Sequence, residues 1–286
     1  MAPTVLAAEA VADFLDKGFL GVDRCLAAGD ELVHLNATFD RLFRGQIDGS
    51  TGHAGLVQVP NVDGAWPAQF EASELYSSVR AIALQLLAAA RAAATVPVPE
   101  SDASFTPASQ VGAIAKPARR GEITLLHQDE AYFDPGYDHS ATRVMCWVAL
   151  AETGTASGCL HFTPGSHRRP AEILQHAAAP LKTLDPATGE GIIELACTST
   201  DPCDSWDASV PVPLPAGGAA FWLPRTLHGS APNTSATPRK ALLMWAVAEP
   251  TPLETPFHRP WRETAFGDHN ALCAKVRILM TTHRAC

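Results

Sequence analysis

The sequence lacks long apolar runs and large basic clusters. No apolar run reaches the roughly 18 residues that a transmembrane helix needs, so we expect no membrane span. The chain has 21 Lys or Arg against 30 Asp or Glu, and its formal net charge is -9. No basic cluster is longer than Arg119-Arg120 or Arg168-Arg169. We therefore expect no phosphate-tracking surface, and nucleic acid is not an expected partner.

Regular cysteine motifs are also missing. The 7 cysteines are irregularly spaced and form no C-x-x-C pair, so they indicate no disulfide framework. We therefore expect a reducing, cytoplasmic setting. The first 19 residues have no basic segment and carry Glu9, Asp13 and Asp16 within an apolar pattern. This pattern predicts a helix rather than a signal peptide.

The composition that is present suits a soluble enzyme. Of the 286 residues, 47% are apolar and 18% are charged, which is typical of a globular chain able to bury a sizeable core. This length allows one large domain or two small ones. Because no repeat and no interdomain linker is evident, we expect one domain over residues 1–286.

The N-terminal third has helical spacing. Residues 7–45 are predicted helical with a break at Gly18 and Gly21, and 71–94 are predicted as a second helical segment. In that segment apolar residues recur at steps of three and four and form one helical face: Leu75, Val79, Ile82 and Leu86. Three prolines and a polar cluster in 95–107 predict the end of the helix.

Short runs rich in Val, Ile, Thr and aromatic residues follow, most of them bounded by Gly, Pro, Asp or Ser. The predicted strands are 111–115, 123–126, 142–150, 160–163, 191–198, 219–223 and 241–247. Many strands after a helical front predict a mainly β fold with flanking helices, a β-sandwich or jelly roll. We expect the helical part at about 1–95 and the jelly-roll core at about 106–250. Residues 168–190 are interpreted as an excursion over the surface.

Two histidines and one aspartate form the main chemical candidate. In a regular strand His127 and Asp129 point to the same side, and His228 follows a later predicted strand. Two imidazoles and a carboxylate on one side of an ion are typical of non-haem iron(II) sites that leave positions open for a co-substrate and oxygen. An isolated H-x-D pair is a weak signal, and the other histidines are expected to be surface or hydrogen-bonded residues.

An arginine and a serine near His228 strengthen the iron hypothesis. Arg239 comes eleven residues after His228 and precedes the apolar run 241–247. A guanidinium buried at the mouth of a barrel needs an anionic partner, and a dicarboxylate is a bidentate one. Ser230 could add a hydroxyl to the same carboxylate. The alternative is a surface arginine that opens a strand.

Three segments resemble one known family. ITLLHQDEAYF (123–133), CWVALAETGTASGCLHFTPGSH (146–167) and GGAAFWLPRTLHGSAPNTSATPRKALLMWAV (217–247) resemble the phytanoyl-CoA dioxygenase family of iron(II)- and 2-oxoglutarate-dependent oxygenases. The resemblance is strong over about 111–248. It implies a double-stranded β-helix (a cupin-like jelly roll) and, as cofactors, iron(II), 2-oxoglutarate and O2.

The resemblance also implies roles for single residues. His127, Asp129 and His228 match the iron ligands, and Arg239 with Ser230 matches the residues that hold the far carboxylate of 2-oxoglutarate.

Two further residues match the co-substrate site. Trp147 matches a tryptophan of the co-substrate pocket, and Lys116 matches a common family lysine. The turn at Gly165-Ser166-His167 is interpreted as structural, with His167 not a ligand. The chain departs from the family pattern at Gly217-Gly218, in place of Gly-Asp, and at His161.

The presence of Asp129 bears on the reaction, because halogenating relatives lack this carboxylate. The resemblance therefore implies hydroxylation of a C–H bond with release of succinate and CO2. The substrate is expected to be a small molecule such as a secondary metabolite, and not an acyl-CoA, since no basic patch is evident. Substrate-pocket candidates are Gln110, Glu130, Tyr132, Phe133, Trp66 and Trp261.

Other interpretations stay open. The same scaffold could catalyse desaturation, rearrangement or epimerisation. A jelly-roll protein that binds metal without turnover is a second possibility, and a zinc hydrolase with an open tetrahedral site is a third. The sequence leaves the oligomeric state undetermined.

Overall fold

The structure is a computed structural model that describes residues 5–25, 29–43, 57–59, 70–107, 112–169, 176–184 and 191–257. Helices α1 (Ala8–Lys17), α2 (Asp30–Leu42) and α3 (Glu74–Ala92) lie in the N-terminal part. No helix in these described ranges has the length and apolar character needed to cross a membrane.

Helix α3 follows the predicted pattern. It begins after Ser73, whose hydroxyl oxygen accepts a hydrogen bond from the Tyr76 amide at 3.1 Å, which satisfies one of the free donors at the helix start. The four apolar residues of the predicted face are fully buried. The predicted helix at 71–94 is therefore confirmed.

The larger of the main sheets has nine strands. Its order is β1-β12-β7-β14-β4-β2-β9-β10, and β3 also pairs with β14. The strand bounds are β1 Phe19–Val22, β2 Val57–Val59, β3 Ser104–Pro107, β4 Ala113–Lys116, β7 Arg143–Ala149, β9 His176–Leu184, β10 Gly191–Cys197, β12 Ala219–Trp222 and β14 Arg239–Val247.

The smaller main sheet has four strands in the order β11-β8-β13-β5. Its strands are β5 Thr124–His127, β8 Leu160–Phe162, β11 Val210–Val212 and β13 His228–Ser230. A separate pair joins β6 (Tyr137–Asp138) to β15 (Thr251–Pro252). This mainly β architecture with flanking helices is the predicted one.

Strand β7 separates two cores by simple alternation. Val144, Cys146 and Val148 belong to a cluster that includes the buried face of α3. Met145 and Trp147 belong to a second cluster, to which both main sheets contribute. We call these clusters the outer core and the inner core. The inner core is the interior of the jelly roll.

One sequence prediction differs from the structure, and two others hold but leave out a strand. Residues 168–190 were expected to form a surface excursion, but His176–Leu184 is strand β9, paired antiparallel with β10. The helix-breaking segment 95–107 ends in strand β3, which pairs with β14. The break within 7–45 contains strand β1, because Gly18 has a φ of 86° and ends α1 there, a conformation that favours glycine.

Candidate metal centre

Three side chains converge where the smaller sheet meets the loop after β5. His127 is the last residue of β5 and pairs directly with His228, the first residue of β13. One ligand atom each from His127, Asp129 and His228 lies within 4.8 Å of the other two. The Nε2 atoms of the two histidines lie 3.8 Å and 3.7 Å from the carboxylate oxygens of Asp129. The donor set suits one divalent metal ion.

Backbone carbonyls orient both imidazole rings. His127 Nδ1 lies 2.8 Å from the carbonyl oxygen of Leu125, and His228 Nδ1 lies 2.9 Å from that of Thr226. Because a carbonyl only accepts, each Nδ1 carries the proton, and each Nε2 therefore has the lone pair with which a histidine binds a metal. This arrangement of a ligand histidine with its second nitrogen on a carbonyl is common at metal sites.

Asp129 reaches the site by a route that strand alternation does not predict. Strand β5 ends at His127, and Asp129 begins a short 3-10 helix, Asp129–Tyr132. The expected extension of the strand through Asp129 is therefore wrong. The indole nitrogen of Trp222 donates to Asp129 Oδ2 at 2.8 Å, which fixes the carboxylate and leaves Oδ1 open to a metal.

Deeper in the inner core, two buried donors have no partner among the described residues. Arg239 is 1% exposed and its pKa is lowered to about 9 by burial. One terminal nitrogen donates to the carbonyl of Gly158 at 2.8 Å, but Nε has no hydrogen-bond partner. The Nε1 of Trp147 is also without one, and the guanidinium carbon lies 5.2 Å from the Trp147 ring centre.

An anion is the ligand that these donors require. Within the described ranges Arg239 forms no ion pair, and a buried guanidinium without an anion is costly. A carboxylate placed here would satisfy Arg239 and Trp147 together. The residues therefore fit the far end of a dicarboxylate such as 2-oxoglutarate.

Ser230 and Lys116 lie beside this anion site. Ser230 ends β13 and is buried, as is Lys116. The ammonium of Lys116 donates to the carbonyls of Ser230 and Ala231, at 2.9 Å and 2.8 Å. Lys116 therefore supports the backbone after His228 with at least two of its donors.

Glu130, a substrate-pocket candidate that was expected either at the rim of the pocket or in a supporting position behind it, pairs with an arginine. Its carboxylate is buried against Arg225, with Nε 2.8 Å from Oε2. Burial raises the pKa of Glu130, and the charge of Arg225 opposes that shift. Arg225 also contacts Asp138 at 3.2 Å. The pair fixes the loop that carries Asp129.

The aromatic candidates divide into two groups. Tyr132 makes an edge contact with the His127 ring at 5.9 Å between ring centres, and Phe133 belongs to the inner core. Both therefore lie near the candidate centre. Three other candidates lie outside the described residues: Gln110, Trp66 and Trp261.

The turn that contains Gly165 agrees with the structural interpretation. Gly165 has a φ of 72° and its amide donates to the carbonyl of Lys17. His167 Nε2 lies 3.1 Å from the carbonyl oxygen of Leu15, so this ring ties the turn to α1. His161 stacks on Trp206 at 4.5 Å between ring centres. Neither histidine belongs to the convergent group of possible metal ligands.

Sequence reasoning missed two residues near the site. Trp222 holds Asp129, but nothing in the spacing of Trp222 from His228 marks this role. Arg143 contacts Phe133 and, by alternation, points to the same side of β7 as Trp147. That shared side was readable from the predicted strand 142–150.

A family model described as "Phytanoyl-CoA dioxygenase (PhyH)" matches residues 14–241. The peroxisomal phytanoyl-CoA dioxygenase of Bos taurus is 30% identical over 132 residues, which cover 45% of this chain and 36% of that protein. A methylphosphonate hydroxylase of Gimesia maris is 27% identical over 121 residues, covering 41% of this chain and 36% of that protein. The chain matches little more than a third of the length of these relatives.

Solved structures match over more of the chain. EvdO2 from Micromonospora carbonacea var. aurantiaca has a TM-score of 0.68 and 27% identity, and the match covers 91% of this chain and 98% of EvdO2. EvdO2 has also been crystallised with 2-oxoglutarate, and that complex is 28% identical with a TM-score of 0.67.

Proposed function

Since the chain belongs to the phytanoyl-CoA dioxygenase family, we propose that it oxidises a C–H bond of a small molecule with iron(II), 2-oxoglutarate and O2. The family and the jelly-roll fold predicted from the sequence are confirmed. The predicted enzyme class and cofactors are those of this family of oxygenases. The observation that carries the proposal is the convergence of two imidazoles and one carboxylate near a buried arginine that forms no ion pair among the described residues.

In this proposal His127, Asp129 and His228 hold the iron. The two Nε2 atoms and Asp129 Oδ1 are the ligand atoms, because the Nδ1 protons are bound to carbonyls and Oδ2 accepts from Trp222. Bound iron with 2-oxoglutarate supplies the oxidising power for C–H cleavage and releases succinate and CO2.

Arg239, Trp147 and Ser230 hold the far carboxylate of 2-oxoglutarate. Arg239 supplies charge and direction, and Trp147 Nε1 adds a neutral donor from the neighbouring strand β7. Because the carbonyl of Gly158 accepts a hydrogen bond from one nitrogen of the guanidinium, the Arg239 side chain has a fixed orientation before the co-substrate binds. The surrounding inner-core side chains exclude water from this end of the site. Lys116 keeps Ser230 in place through its backbone.

Hydroxylation is the proposed reaction. Asp129 occupies the carboxylate position that halogenating relatives lack, and a relative of 27% identity is named a hydroxylase. The substrate is proposed to be a free small molecule, such as a secondary metabolite. Desaturation, rearrangement or epimerisation on the same scaffold is the alternative, and the mass of the product separates them, since only hydroxylation adds one oxygen atom.

We propose a cytoplasmic location for the protein. The five cysteines in the described ranges are all free thiols, which suits a reducing compartment. Cell fractionation of the source organism tests this proposal.

Anaerobic spectroscopy tests the cofactor assignment. Iron(II) and 2-oxoglutarate added together to the protein should produce a weak visible charge-transfer band. His228→Ala should remove the band, whereas His34→Ala, which changes an exposed histidine on α2, should keep it. No band in the unaltered protein would favour a binding protein without turnover. Zinc retention with hydrolysis independent of O2 would favour a zinc hydrolase.

A further inference from the structure

Arg143 begins strand β7, and its side chain enters the space between the sheets. By alternation it points to the same side as Met145 and Trp147, which belong to the inner core. Its guanidinium carbon lies 4.2 Å from the ring centre of Phe133 and 4.6 Å from that of Trp245. Two aromatic rings therefore hold the cation in one place.

The Nε donor of this guanidinium has no hydrogen-bond partner among the described residues. Within the described part of the chain, Arg143 forms no ion pair and Nε is buried without a hydrogen-bond partner. Burial lowers the pKa of Arg143 to about 10, although Asp129 and Glu130 oppose that shift. Its side chain is nonetheless partly exposed.

The nearby carboxylates are already engaged. Glu130 is bound by two nitrogens of Arg225, at 2.8 Å and 3.2 Å. Asp129 accepts from Trp222 and faces the two candidate ligand histidines. Arg225, by contrast, is a structural arginine that pairs with two carboxylates. Arg143 has no such partner among the described residues, which leaves it open to an anion from outside the protein.

The sheet register places Arg143 on the opposite side of the metal centre from Arg239. Met145 pairs with Trp222, the residue that holds Asp129. Trp147, at the Arg239 end, follows Met145 along β7, and Arg143 precedes it. Trp147 lies four positions after Arg143 along the strand, a distance of about 13 Å. One anion site therefore lies on each side of the metal ligands.

We propose that Arg143 binds a carboxylate of the substrate, so that the molecule oxidised by this protein is an organic acid held between Arg143 and the metal centre. This inference rests on the proposed function, which assigns the deeper anion site to 2-oxoglutarate. A carboxylate matches the planar, bidentate geometry of a guanidinium. The rings of Phe133 and Trp245 beside it offer apolar contact to the carbon skeleton of the acid.

Matched acid and amide probes test this inference. The anaerobic protein with iron(II) and saturating 2-oxoglutarate is titrated with phenylacetate, phenylacetamide, cyclohexanecarboxylate and cyclohexanecarboxamide, and the shift of the visible band is measured. At least one acid should bind about tenfold or more tightly than its amide, since a charge-assisted bidentate pair is lost in the amide. Arg143→Met should remove that preference, and Arg143→Lys should keep part of it.

Three controls separate binding from structure. Arg41→Met changes an exposed arginine on α2 and should keep the acid preference. Arg143→Met should leave the melting temperature unchanged or higher, because a buried charge without a partner is removed. Arg225→Met should lower it, because Glu130 then stays buried without its cation. These melting measurements need no bound metal.

Each contrary result has a defined meaning. Equal binding of acid and amide in both pairs would overturn the inference. If Arg143→Met weakened the binding of 2-oxoglutarate more than the binding of the acid, Arg143 would belong to the co-substrate site instead. A loss of thermal stability in Arg143→Met with the acid preference intact would make it a structural residue. Absence of the band before any probe is added would contradict the proposed function itself.

Discussion

The two sides of strand β7 differ in how their polar groups are satisfied. On the outer side, β7 packs against the apolar face of α3, and none of the buried polar atoms without a partner lies on α3 or on the outward residues Val144, Cys146 and Val148. On the inner side, the described residues Arg143, Trp147 and Arg239 each keep a buried nitrogen without a partner.

This difference separates stability from binding. An apolar layer that is fully packed stabilises the fold through burial alone. Buried donors without acceptors destabilise the free protein and become favourable only when a ligand supplies the acceptor. Substitutions on the outer side should therefore change unfolding, and substitutions on the inner side should change ligand binding and turnover.

The largest effect is expected for Asp129→Ala. Loss of the carboxylate should reduce substrate-dependent succinate release at least about a thousandfold, because metal catalysis is worth several kcal/mol. Succinate is measured by mass spectrometry, and the melting temperature checks folding. Full activity of this variant without added carboxylate would contradict the ligand assignment.

Arg239→Met should act on the co-substrate. We expect the 2-oxoglutarate concentration for half-maximal turnover to rise about tenfold to a hundredfold, because charge-assisted hydrogen bonds to the carboxylate are lost. Turnover at saturating 2-oxoglutarate should fall less. An unchanged requirement would remove Arg239 from the binding site.

Trp222→Phe tests the hydrogen bond to Asp129. The ring volume is largely kept, but the donor is lost, and we expect the affinity for iron(II) to fall about tenfold or more. Competition with a coloured chelator measures this change. An iron affinity equal to that of the unaltered protein would show that Asp129 is positioned without Trp222.

Leu86→Ala probes the outer core and should leave the inner side unaffected. The side chain is fully buried in α3, and its truncation should lower the free energy of unfolding by about 2–5 kcal/mol. Denaturant unfolding measures this loss. Turnover per folded molecule should stay unchanged, and a parallel loss of turnover would erase the distinction between the two sides.

Sequence spacing predicted the parts of the fold that follow from periodicity. The α3 face, strand β7 and strand β14 all have repeating apolar positions within one segment. Strand β9 was missed because HAAAPLKTL has no alternation, and its place depends on pairing with β10, which only the folded chain provides. Tertiary context overrides weak local preference in such segments.

The candidate site was predictable in its residue types but not in its geometry. His127, Asp129 and His228 form a chemical set that the sequence displays. The 3-10 turn that brings Asp129 into place was hidden, because the chain after β5 is shaped by the buried pair of Glu130 and Arg225. Partners 95 residues apart in sequence leave no local signal.

The hydrogen bond from Trp222 to Asp129 has a mechanical consequence. Trp222 belongs to the larger sheet, whereas His127 and His228 belong to the smaller one. An ion bound by all three ligands would therefore link the larger sheet to the smaller one through the Trp222 indole. Removal of iron should then weaken the contact between the two sheets. Amide hydrogen exchange along β12 and β13 should become faster before any global unfolding occurs.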